Sequence, residues 1–93
     1  MPKLLENLVH GTPVLSSMEG VLGEVRGVFA LGETRIPECL LILWNDTKEE
    51  TLLDADEVLS ISDDGVVLRS GREMYKVLPG YDPQTNPLLK RLS

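Results

Sequence analysis

Turn signals set the rhythm of this chain: Gly11, Gly20, Gly32, Asn45-Asp46, Asp54-Ala55-Asp56, Asp64-Gly65, Gly71 and Pro79-Gly80 fall every 6 to 13 residues. That spacing leaves little room for a helix of three turns and predicts an all-β chain. The intervening segments are rich in Val, Ile and Leu and read as strands: Val14–Met18, Leu22–Leu31, Glu38–Asn45, Glu49–Leu53, Val58–Ser62, Val66–Ser70 and Met74–Leu78. With 93 residues, one domain buries roughly 60–65% of the surface its unfolded chain exposes. The expected fold is a small closed or partly open β-barrel of about six to seven short antiparallel strands, or a compact sandwich.

The firmest local feature is Asp63-Asp64-Gly65 between Val58–Ile61 and Val66–Leu68, because an Asp-Gly pair readily supplies the positive φ of a tight hairpin. Leu4, Leu5, Leu8 and Val9 share one face of a short helical turn or an opening strand that would cover one end of the barrel. In Leu22–Leu31 strict alternation puts Gly23, Val25, Gly27, Phe29 and Leu31 on one face. Glycines on a core face mark curvature, since a strand that coils to close a small barrel needs bends and close backbone approach.

Cys39–Trp44 is an unbroken apolar run of six, and it cannot all point inward in a barrel with one solvated face. Its outer side needs cover from the chain's own C-terminal segment or from a second copy. Residues 1–78 are expected to form the barrel, and residues 79–93 an extended tail, because Pro79, Pro83 and Pro87 recur four residues apart. The candidate interface is therefore Leu41, Ile42, Leu43 and Trp44 with Tyr81, Leu88, Leu89 and Leu92 of the tail, and the expected assembly is a homodimer. Charge is split along the chain: residues 1–68 hold four basic and thirteen acidic side chains, residues 69–93 five basic and two acidic. A basic tail on an acidic body favours folding back over reaching out.

No motif announces chemistry. His10 is the only histidine and Cys39 the only cysteine, far apart in sequence, and no serine sits in a Gly-x-Ser-x-Gly elbow. Cys39 reads as a small core hydrophobe, and a single cysteine excludes an internal disulfide. The Asp54-Ala55-Asp56-Glu57 and Asp63-Asp64 clusters lack the spacing of a calcium loop, because Val58 and Leu59 stand where oxygen ligand and glycine belong. Phosphate-cradling glycine patterns with a following lysine are missing. We expect no catalytic residues, no metal and no cofactor, hence no enzyme. An acidic body with one Trp, one Phe and two Tyr argues against direct nucleic-acid binding. The longest apolar run is too short to insert in a membrane, and the first residues lack a signal-peptide pattern, so a cytoplasmic location is expected. The Asn45-Asp46-Thr47 sequon then carries no glycan.

Leu8-Val9-His10-Gly11-Thr12-Pro13-Val14 followed by Gly20-Val21-Leu22-Gly23-Glu24-Val25 resembles the opening of PRC-barrel domains, where a Gly-x-Pro-Val strand precedes a Leu-Gly-x-Val strand. Leu52–Ile61, followed by Asp64-Gly65-Val66-Val67-Leu68, is similar to the second half of that domain, so the likeness spans about residues 5–78. Ala55 stands where many relatives carry proline. The resemblance implies a small barrel like those of the photosynthetic reaction centre H subunit and of a ribosome maturation factor, working through protein contacts and without a shared active site. The resulting expectation is a stand-alone, non-catalytic adaptor or self-assembly module. An accessory factor in RNA processing or ribosome maturation, acting through a protein partner, is the alternative, and an uncharacterised enzyme the third.

Overall fold

A computed structural model describes residues 10–16, 18–31, 36–82 and 89–92. Seven strands form one sheet: β1 (Pro13–Ser16), β2 (Gly20–Leu31), β3 (Cys39–Trp44), β4 (Glu50–Asp54), β5 (Val58–Ser62), β6 (Gly65–Leu68) and β7 (Leu89–Arg91). The order is β4-β3-β2-β1-β6-β5, with β7 also on β2. The sheet is not closed, because its terminal strands β4 and β5 are joined by a 3-10 turn at Ala55–Glu57 rather than by a hydrogen-bonded ladder. The mostly β expectation holds at this level.

β2 organises the molecule. At 12 residues it is long enough for one edge to pair with β1 at its start and β7 at its end, while the opposite edge pairs with β3. Two bulges interrupt it, Leu22 being the extra residue against β1 and Arg26 the extra residue against β3. A bulge sharpens coiling and shifts which residues face the core. Leu22, Val25 and Val28, three apart, therefore all enter one core with Val14, Leu40, Ile42, Trp44, Leu53, Val66 and Leu68. Strict alternation along β2 consequently fails on both sides of Val25, and Leu22, expected on the opposite face, enters the core. Gly23 shares the inward side with Val25, as expected, but Gly27 and Phe29 lie outward opposite Leu41 and Cys39.

Two further expectations are corrected. The strands are not all antiparallel, since β1 and β6 run parallel with Val14 opposite Val66 and Ser16 opposite Leu68. The hairpin β5–β6 arrives after the chain has passed through β3 and β4, and it docks on the free edge of β1 in that orientation. The segment Met74–Leu78 is not a strand. Arg72–Tyr75 forms a single helical turn, α1, followed by turn residues. Arg, Glu and Met favour helix; Lys76 caps the turn through its backbone N–H to Glu73 O at 3.4 Å and adds a 3.0 Å side-chain ion pair to Glu73.

The β5–β6 hairpin forms where expected, with Ser62 opposite Gly65 across Asp63-Asp64. Its glycine acts differently from the expected Asp-Gly turn. Gly65 opens β6 at φ 136°, and a Cβ there would run into the Pro13 carbonyl of β1. The expected element at Leu4–Val9, the Gly32 turn, and Pro83 and Pro87 of the tail lie outside the described residues.

Candidate functional site

Trp44 is the centre from which the site is built. It ends β3, is fully buried, and its indole Nε1 donates a 2.9 Å hydrogen bond to Thr51 Oγ1 on the neighbouring strand β4. The single turn of α1 places Arg72 and Tyr75 three residues apart, on one face, and both reach this indole. Tyr75 stacks on it at 5.7 Å between ring centroids and 15° between planes. The Arg72 guanidinium lies 4.2 Å from the ring centroid, a cation–π contact.

Arg72 also ties α1 to two turns. Its Nε donates to both Asp46 carboxylate oxygens at 3.2 Å, its Nη2 donates to Thr47 Oγ1 at 3.5 Å, and its backbone N–H donates to Glu19 at 3.0 Å. Nη1 is buried without a hydrogen-bond partner. Desolvation pulls the Asp46 carboxyl upward, but the Arg72 hydrogen bond and charge outweigh it and hold the group below its ordinary 3.8. The Asn45-Asp46-Thr47 turn thus has a structural task, anchoring α1.

Tyr75 continues the network outward. Its hydroxyl donates to Glu57 Oε1 at 3.0 Å and accepts from the Ser70 backbone N–H at 3.2 Å. Burial, and then the hydrogen bond to Glu57, push the phenol above its usual 10.0.

Outside this network lies a cavity of about 340 Å³. Leu52, Leu53 and Asp54 of β4 form one wall, Glu57 closes one end, and Ser70, Met74, Tyr75 and Leu78 of the α1 segment form the other wall. The groove occupies the seam where the sheet fails to close. Apolar side chains of its lining reach water, with Met74 65% and Leu78 38% exposed. The arrangement can receive an apolar side chain beside a positive charge held by Asp54 and Glu57.

The expected interface residues are distributed differently. Ile42 and Trp44 are core residues, Leu41 is 2% exposed within the single chain, and Leu43 is half-buried on the outward side of β3. Tyr81 folds back: its N–H donates to Glu50 O at 2.8 Å, and its ring lies 5.9 Å from Phe29 on the outward face of β2. Arg91 of β7 covers the same face, with its guanidinium 5.0 Å from the Phe29 ring and Nη1 donating to Arg26 O at 2.8 Å. Leu92 packs against the core, its N–H bonded to Val28 O at 2.6 Å. Leu89 supplies backbone to β7, its side chain lies outside the described part of the structure, and so does Leu88 entirely. The described end of the chain therefore folds onto its own β2.

Cys39 is half-buried at the start of β3, and burial, followed by the charges of Asp54 and Glu38, raises its thiol above 9.0. A thiol held protonated is a poor nucleophile. His10 meets Arg91 Nη1 at 3.2 Å on the surface. Among the described residues no group of three or more His, Cys, Asp or Glu side chains is placed to hold a metal ion, and no helix is long and apolar enough to cross a membrane. Sequence reasoning missed Met74, Tyr75 and Leu78 because Met74–Leu78 read as a strand, and Arg72 because it fell just before that segment; the Arg72 to Tyr75 spacing was the available signal. Compared with family models, curated proteins and solved structures, the chain finds no match in any of the three.

Proposed function

We propose that this chain is a non-catalytic protein-contact module related to the PRC-barrel domains that its sequence resembles. Its contact surface is the seam beside α1. The observation that carries this reading is the groove bounded by Met74 and Leu78 on one side and Leu52 and Leu53 on the other, whose outer rim presents apolar side chains to water. Water-exposed apolar side chains around a concavity favour docking over catalysis when the polar groups nearby are engaged structurally, as Tyr75 and Glu57 are with one another. The outward face of β3 is a weaker candidate, since Leu41 is covered within the single chain and Ile42 and Trp44 point into the core.

The test uses the whole chain as bait in extract from its native cells, beside a Met74→Glu variant. Met74 is exposed, so the variant keeps its melting temperature. A protein retained by the wild type and lost by Met74→Glu supports the reading. Equal retention by both, or retention of nothing by the wild type, refutes it.

A further inference from the structure

The seam has a second feature, the edge of β5. Among the described residues β5 pairs with β6 alone. Its sequence, Val58-Leu59-Ser60-Ile61-Ser62, contains no Lys, Arg or Pro, the residues that ordinarily guard an edge against added strands, and Leu59 is 55% exposed. A bulge at Leu59 is its one guard. Charge sits at both ends instead. Asp56 and Glu57 precede the strand, and Asp63 and Asp64 follow it. Arg69 lies beside the first pair, its Nε donating to Asp56 O at 2.6 Å and its N–H to Glu57 O at 2.9 Å, so that end keeps an acidic excess of one.

This pattern discriminates between occupants. In antiparallel strand addition, the flanks of one strand lie opposite the flanks of the other. Two copies of β5 would set acids against acids at both ends, which opposes self-pairing. A segment with lysine or arginine at each end and β-forming residues between gains at both ends. Glu57 belongs both to the groove and to the approach to β5, so the groove lies beside one end of that edge.

We infer that the edge of β5 left unpaired by the described residues takes up an extended, basic-ended segment of a partner protein as an added antiparallel strand. The inference rests on the protein-contact reading above and specifies the partner's chemistry. Main-chain hydrogen bonds supply affinity, and the acidic flanks supply selectivity.

The probe is a fluorescein-labelled peptide, KKVTVTVKK, titrated with the full chain and followed by anisotropy. Two controls accompany it: EEVTVTVEE, and the basic peptide with alternate amides N-methylated, which keeps its charge but cannot complete a ladder. Saturable binding is expected for the first, with each control at least about tenfold weaker, and with affinity falling as salt rises. Equal binding of either control overturns the inference, as does no saturable binding of the basic peptide. A wild type that sediments as a dimer and becomes a monomer as Leu59→Lys overturns it too, by identifying a second copy as the occupant. If the basic peptide fails while Met74→Glu still loses its retained protein, the contact function stands and the strand on β5 falls.

Discussion

Gly23 is where the closeness of β2 and β3 is measured most directly. It faces the core opposite Trp44, and a Cβ built there would overlap the Leu43 carbonyl oxygen and lie 3.2 Å from Trp44 Cα. Both obstacles are backbone. A carbon needs about 3.3 Å from a carbonyl oxygen, so Gly23→Ala forces the two strands apart by an amount on the order of 1 Å. Overpacking of this kind costs about 1–3 kcal/mol, and a weakened ladder hydrogen bond adds about 1 kcal/mol. Losing glycine's unfolded-state freedom returns about 0.5–1 kcal/mol. The net is about 2 kcal/mol of destabilisation, equivalent to a fall of about 8–16 °C in Tm for a domain of this size. Gly27→Ala is the matched control. Its Cβ would meet Arg91 Nη1 at 2.8 Å and Phe29 Cε2 at 2.9 Å, and the guanidinium is the far end of a flexible side chain that can swing away. That variant is expected to cost no more than about 1 kcal/mol. Thermal unfolding followed by circular dichroism, repeated in urea, compares the two. A Gly23→Ala protein melting with the wild type, or a Gly27→Ala protein losing more than Gly23→Ala, would refute the close approach of β2 and β3.

Two other perturbations probe the surroundings of Trp44. Thr51→Val keeps the shape of the side chain but strands the buried indole N–H, costing about 1–3 kcal/mol, whereas Thr51→Ser retains the acceptor; urea unfolding followed by the fluorescence of the single tryptophan tests this, and equal midpoints for the two variants would contradict it. Tyr75 ionises above 10.0 in the folded chain, and the unfolded chain gives up that proton first, so folding stability is expected to fall as pH rises from about 10. Tyr75→Phe should flatten this alkaline loss, and a spectroscopic titration in which Tyr75 ionises at the ordinary value would contradict the part-buried Tyr75–Glu57 hydrogen bond.

What the sequence disclosed, and what it concealed, follows from how far each feature depends on its neighbours. β3 is legible as a strand but not in its faces, because an unbroken apolar run does not say that Ile42 and Trp44 point inward rather than into an interface; the Asp63-Asp64 hairpin is local enough to read without any partner. β2 resists because a bulge is decided by pairing. Nothing in Val25-Arg26-Gly27 states that Arg26 is an extra residue, yet a one-residue slip moves Phe29 from the expected inward face to the outward one. The parallel pairing of β1 with β6 joins segments some fifty residues apart and leaves no local mark. The candidate site was the least legible part. Met74–Leu78 has the composition of a strand, and only the position of Trp44, reached through the whole sheet, shows why the chain turns as a helix there to bring Tyr75 and Arg72 onto the indole.

A helix of one turn has no stability of its own, because its nucleus is more costly than the hydrogen bonds it gains. α1 persists through what it touches. Arg72 joins the β3–β4 turn through Asp46 and Thr47, the β1–β2 turn through Glu19, and the core through Trp44, while Tyr75 joins the 3-10 turn through Glu57. The ion pair with Asp46 contributes little by itself, since that carboxylate is largely hydrated and a buried guanidinium carries a desolvation cost. Its effect is positional: it fixes the wall of the groove that carries Met74 and Leu78. If the groove is the contact surface proposed above, a wall already set by four separate elements would need little ordering on binding, so less contact energy would go to side-chain and loop entropy than in a mobile segment. The arginine and tyrosine that look like core residues are in this sense the positioning residues of the surface beside them.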